Sequence, residues 1–60
     1  MTYEAFINQV RARLTPLPPE ERQAMADYYG ELFEDYIENG LSEDEAAVSL
    51  LAALDETLRK

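Results

Sequence analysis

All three prolines of this chain crowd into T-P-L-P-P, residues 15–19. No other feature constrains the fold as strongly. Proline has no backbone N–H to donate, and it drives the residue before it out of helical conformation. A helix entering this stretch from the N-terminal side therefore ends here. Pro19 in turn suits the first turn of a new helix, where a missing donor costs nothing. Glu20 and Glu21 follow it, where the positive end of a helix dipole favours carboxylates. A second break lies at Asn39-Gly40 and runs straight into S-E-D-E, residues 42–45. Gly takes the left-handed conformation at little cost, so Leu41 can fold back over the end of the helix it follows. Ser42 with Glu45 forms the pattern of a capping box, and Leu41 with Ala46 the pattern of a hydrophobic staple.

Between these breaks the apolar residues recur at helical spacing. In the first segment Tyr3, Phe6, Ile7, Val10 and Leu14 make one stripe, with Thr2 placed as N-cap and Arg11 and Arg13 toward the C-terminal half. In the second, Met25, Tyr29, Leu32, Phe33 and Tyr36 share a face, with Ala26 and Ile37 on its shoulder. Asp27, Glu31, Glu34 and Glu38 lie opposite, with Asp35 at the edge. In the third, Ala46, Ala47, Leu50, Ala53, Leu54 and Leu58 point inward, Leu51 widens the stripe, and Val48 and Ala52 point largely away. Arg59 and Lys60 add positive charge at the end of this helix. Leu17 is expected to tuck in at the proline corner. The pattern predicts an all-α fold without strands: a compact three-helix bundle over about 2–16, 19–39 and 42–58, forming a single small domain over residues 1–60. Short connections make neighbouring helices antiparallel.

Sixty residues bury only a modest core, and small folds often compensate with disulfides or a metal. This chain has no Cys and no His. That removes a disulfide framework, the usual zinc sites and the commonest acid–base and nucleophilic side chains. The carboxylates that remain sit on an open helix face with no cleft to tune them, and no Gly-rich phosphate loop is present. A non-enzymatic protein without cofactors is therefore expected. The formal net charge of −8 disfavours nucleic acid and anionic membrane surfaces as partners and leaves a basic protein surface open. No stretch has the length of a secretory leader core or of a spanning helix. A soluble, cytoplasmic segment that does not itself insert into a membrane is the expectation.

The stretch Y-Y-G-E-L-F-E-D-Y-I-E-N-G, residues 28–40, mixes rings with acids. Helical geometry sorts Tyr29, Phe33 and Tyr36 to the inside and Glu31, Glu34 and Glu38 to the outside. A straight helix supplies one side of a coordination shell at most, and calcium wants a wrapping loop, so no metal site is expected. The acidic face is then either a solvated surface or a docking surface for Lys and Arg. Tyr28 lies at its border. Gly30 either lets another helix approach closely or is tolerated at about 1 kcal/mol relative to Ala. The broad arc of the third helix leaves Val48, Leu51 and Ala52 outside the minimal core. They are covered by the other two helices or by a second chain. The candidate partner-binding residues are thus Asp27, Tyr28, Glu31, Glu34, Asp35 and Glu38 on one helix, and Val48, Leu51 and Ala52 on the other.

Several of these strings occur together in a known order. They are M-x-x-x-x-F-I-x-x-V at the start, L-P-P-E-E-R at Leu17–Arg22, D-Y-Y-x-E-x-F-E-D at Asp27–Asp35, and N-G-L-S-E-D-E-A at Asn39–Ala46. In this the chain resembles the HAAS-type alpha-helical signalling domain over residues 1 to about 51. The resemblance implies a helical protein-interaction module at the cytoplasmic N-terminus of small bacterial membrane proteins, which are commonly encoded beside PadR-like transcription regulators. It implies no catalytic residues. Family members usually break the third helix with Leu-Gly-x-Pro. Here Leu51-Ala52-Ala53-Leu54-Asp55 has neither Gly nor Pro, so the third helix is expected to run on, and the family's short fourth helix is in doubt. The partner implied is a PadR-like regulator or a second copy of the chain, with tethering to a membrane through a segment outside these sixty residues. The rival readings are a stand-alone assembly module and a surface responsive to divalent cations.

Overall fold

The computed structural model describes residues 1–59, so the charge expected of Lys60 lies outside the described residues. Three helices form it: α1 (Tyr3–Arg13), α2 (Pro19–Glu38) and α3 (Glu43–Leu58). Each packs against both others. Their order and their caps follow the sequence closely. The Thr2 hydroxyl accepts from Ala5 N–H at 3.2 Å. Pro19 opens α2.

Between α2 and α3 the chain makes a complete Schellman turn. Gly40 N–H donates to the Ile37 carbonyl at 3.0 Å and Leu41 N–H to the Tyr36 carbonyl at 3.1 Å, with Gly40 at φ +99°. The left-handed backbone there is what makes Gly the fitting residue. The capping box closes in both directions: Glu45 N–H donates to Ser42 Oγ at 3.1 Å, and Ser42 N–H to Glu45 Oε1 at 3.0 Å. The hydrogen bonds from the Ser42 backbone and then its hydroxyl hold the Glu45 carboxyl below its ordinary range.

The first helix is shorter than the expected 2–16. It ends at Arg13 with Leu14 as cap, and Leu14 N–H donates to the Arg11 carbonyl at 3.1 Å. Pro16 explains the loss, because it bars helical conformation at Thr15 and has no N–H with which to extend the ladder. Leu17 then turns inward, half-buried against the core. Its carbonyl accepts from Arg22 Nη2 at 3.2 Å, which fixes the corner.

The core is assembled from Phe6, Val10 and Leu14, from Ala26, Tyr29 and Phe33, and from Ala46, Ala47, Leu50 and Leu54. Phe6 stacks on Phe33 with centroids 4.7 Å apart. Fully burying each large member contributes about 1.5–3 kcal/mol. Ala46 and Ala47 on α3 and Ala26 on α2 are small, and their positions allow close packing of the helices.

Gly30 is buried, and the close-approach reading is the one realised. A Cβ added there would stand 2.5 Å from the Tyr3 hydroxyl and 3.2 Å from Ile7 Cδ1. The helix that approaches is α1 of the same chain.

Three expected inward positions are exposed, and Tyr36, like Ile7, Met25 and Leu32, is only partly buried. Ala53 is exposed and Leu58 is 43% exposed. Arg13, the last residue of α1, pairs with Asp55 at 2.9 Å, so Leu58 lies nearly a turn beyond the end of α1. Tyr3 is 45% exposed, since it begins α1, though its ring meets Phe33 edge-on at 5.9 Å. Tyr36 is half-buried, packed against the core from its margin. Among the described residues no helix is long and apolar enough to cross a membrane.

Candidate functional site

The antiparallel order brings the start of α1, the end of α2 and the start of α3 to one end of the molecule. The Met1 ammonium pairs with Asp44 there. The charges follow this polarity. Glu4, the final turns of α2 (Glu34, Asp35, Glu38) and the first turn of α3 (Glu43, Asp44, Glu45) gather at that end. Arg11, Arg13, Arg22 and Arg59 belong to the opposite one, together with Glu20, Glu21, Asp55 and Glu56. The arginines thus all stand away from the carboxylate-rich end, which leaves that end strongly negative and the other close to neutral.

The carboxylates of the two helices at the acidic end differ in kind. Those in the first turn of α3 meet the positive end of its dipole, a stabilising arrangement. Those at the end of α2 meet the negative end of its dipole, and no basic residue stands in its last turn. Among the described residues none of Glu31, Glu34, Asp35 or Glu38 forms an ion pair; the pairs formed use Asp44, Asp55 and Glu56.

All five acidic candidates on α2 are exposed, but they do not act as one surface. Asp27 accepts from Gln23 Nε2 at 2.8 Å, and Gln23 Oε1 accepts from Arg11 Nη2 at 3.2 Å. This short chain of polar contacts ties Asp27 to α1, away from the carboxylate-rich end. Glu34 and Glu38 instead border an open groove of about 320 Å³ whose other walls are Tyr3, Phe33, Ile37 and Glu43. Glu31 and Asp35 lie outside that lining. Tyr28 is 57% exposed and leans edge-on against Tyr29, with centroids 5.4 Å apart.

On α3, Val48 is the most exposed of the large apolar side chains, at 70%. Ala52 is exposed too. Leu51 is half-buried and packs against the margin of the core. Val48 lines a second shallow hollow with Leu41, Asp44, Glu45 and Ser49. The two candidate faces thus flank the first turn of α3 on opposite sides, Glu43 toward the first groove and Asp44 and Glu45 toward the second.

Sequence reasoning missed Tyr3, Ile37 and Glu43 as surface-site residues. Periodicity places Tyr3 in the apolar stripe of its helix and Ile37 on the shoulder of the next. The signal that finds them is their position at helix ends, where a stripe residue has neighbours on one side only. Among the described residues no three acidic side chains converge closely enough to hold a metal ion.

No curated protein and no solved structure matches this chain. The family model named HAAS matches residues 5–56. That span takes in the proline corner, the aromatic–acidic stretch of α2, the Schellman turn and capping box, and α3 almost to its end. It reaches past the point where the motif resemblance stops, and it includes the unbroken Leu51–Asp55 stretch of α3. With α2 and nearly all of α1 and α3 inside the matched span, the chain belongs to the HAAS family.

Proposed function

We propose that this chain is a non-enzymatic protein-interaction domain of bacterial membrane-linked signalling. It works on the cytoplasmic side, tethered through a segment outside these sixty residues, with a PadR-like regulator as its partner. Membership of the HAAS family over residues 5–56 is the observation that carries this reading. The charge polarity supports it: an end rich in carboxylates and poor in cations steers a basic surface toward it over a distance of about 10 Å at 0.1 M salt. The test is a titration of the purified chain with the PadR-like regulator encoded beside its gene. Saturable binding that weakens as salt rises is expected, and no binding at low salt overturns the reading. The gene beyond residue 60 offers a second check, where an apolar spanning run is expected and a stop codon counts against the tether.

A second reading, a self-assembling module joined through the outer edge of α3, draws support from Val48 at 70% exposure. Sedimentation over a concentration series decides it: a monomer at high concentration ends that reading.

A further inference from the structure

We propose that the groove formed by Tyr3, Phe33 and Ile37 docks a basic amphipathic segment of a partner protein. A large apolar side chain of the partner seats between Tyr3 and Ile37, above the buried Phe33, and its Lys or Arg side chains reach Glu34, Glu38 and Glu43. The proposal rests on the interaction reading above and deepens it by naming the surface and the chemistry of what it takes.

Three observations select this occupant. The first is the lining. The groove combines an aromatic and aliphatic floor with carboxylates from two different helices, so one incoming segment meets apolar and acidic contacts together. An amphipathic helix laid in a groove presents this combination, with anchors three and four residues apart and cations beside them. The second is the electrostatics of α2. Glu34 and Glu38 stand at the negative end of its dipole, without an ion-pair partner among the described residues and without a basic residue in the last turn. A cationic side chain bound there relieves both the mutual repulsion and the dipole conflict. The third is the exposure of the two outer floor residues: Tyr3 is 45% and Ile37 37% exposed, with the buried Phe33 beneath them.

Other occupants fit less well. A second copy related by a two-fold axis would bring the same carboxylates against themselves. A head-to-tail copy would offer arginines from the opposite end, but Arg13 and Arg59 are already paired there with Asp55 and Glu56, and Glu20 and Glu21 share that end. An anionic lipid surface is repelled. A bare cation lacks a converging donor set.

The test uses the isotope-labelled chain and a capped synthetic helix, with leucines at i, i+3, i+4 and i+7 and arginines between them. A twin peptide carrying glutamate for arginine is the control. Saturable amide shifts are expected around Tyr3, Phe33 and Ile37, with none from the acidic twin. Ile37→Ser should weaken binding at least tenfold while leaving the urea midpoint close to that of the parent. Combined Glu34→Gln, Glu38→Gln and Glu43→Gln should weaken it and flatten its salt dependence. Val48→Ser should change nothing. Shifts spread evenly along α2, shifts centred on Val48, undiminished binding by the Ile37→Ser chain, or no saturable binding each overturn the proposal. Regulator binding that survives Ile37→Ser removes the groove and leaves the interaction reading standing. Peptide binding in the groove with no regulator binding removes the regulator and leaves the groove.

Discussion

Replacing Gly30 with Ala sets two effects of similar size against each other, and the structure says which partner decides the result. In the middle of a helix Ala is better than Gly by about 1 kcal/mol. Against this, the new Cβ would lie 2.5 Å from the Tyr3 hydroxyl, 3.3 Å from Tyr3 Cζ and 3.2 Å from Ile7 Cδ1. The first distance is not tolerable, so the Tyr3 ring must swing outward. It can do so, being 45% exposed, but it gives up its edge contact with Phe33, worth about 0.5–1.5 kcal/mol. The Ile7 methyl needs only a few tenths of an ångström. The expected net effect of Gly30→Ala is therefore within about 0.5 kcal/mol of zero, the difference of the two terms. In a Tyr3→Phe background the hydroxyl is gone and the ring can stay near Phe33. There Gly30→Ala should stabilise by about 0.5–1 kcal/mol, approaching the full propensity gain. Urea denaturation of the four chains, followed by far-ultraviolet circular dichroism, gives the coupling. A value of about 0.5–1 kcal/mol is expected, which in a domain of this size corresponds to a few degrees in Tm. If Gly30→Ala has the same effect in both backgrounds, the Tyr3 hydroxyl does not cover Gly30 and the account of α1 against α2 is wrong.

Further outcomes follow from individual contacts. Leu54→Ala, at a position with no solvent exposure, should cost about 2–5 kcal/mol, enough to leave so small a chain largely unfolded by circular dichroism at 37 °C. Gly40→Ala meets no steric neighbour but keeps φ at +99°, so thermal melts should show a loss of about 1–2 kcal/mol. Ser42→Ala removes the acceptor for Glu45 N–H and should cost about 1 kcal/mol in urea. The lowered Glu45 pKa gives that cap a pH signature. Its contribution is complete above the ordinary glutamate value of 4.5 and fades as pH falls through the folded-state value below it. The Ser42 N–H survives in Ser42→Ala, so only the hydroxyl's share is lost: urea midpoints from pH 6 to pH 3 should fall slightly less than in the parent, and equal falls would remove the Ser42 hydroxyl as a contributor.

Much of the architecture was written locally. Thr2, Pro19, Asn39-Gly40 and the Ser42–Glu45 pair act within a few residues of chain, so their caps could be read before any packing was known. The same holds for the stripe periodicity, which named Phe6, Val10, Phe33, Leu50 and Leu54 as core because a helix surface is fixed by its own 3.6-residue repeat. What the chain alone left open depends on how far one helix extends beside another. Whether Gly30 served close approach, whether Leu51 was covered, and whether Tyr3 and Leu58 were inside are all questions about helix ends and relative rotation. The acidic stripe is the clearest case. Along the sequence Asp27, Glu31, Glu34, Asp35 and Glu38 form one face of one helix. In the fold Asp27 joins a polar chain to Arg11 through Gln23, while Glu34 and Glu38 meet Glu43 from α3 around an apolar floor begun by Tyr3. Periodicity fixes which side of a helix a residue occupies, whereas a groove between helices exists only once their ends are aligned in space.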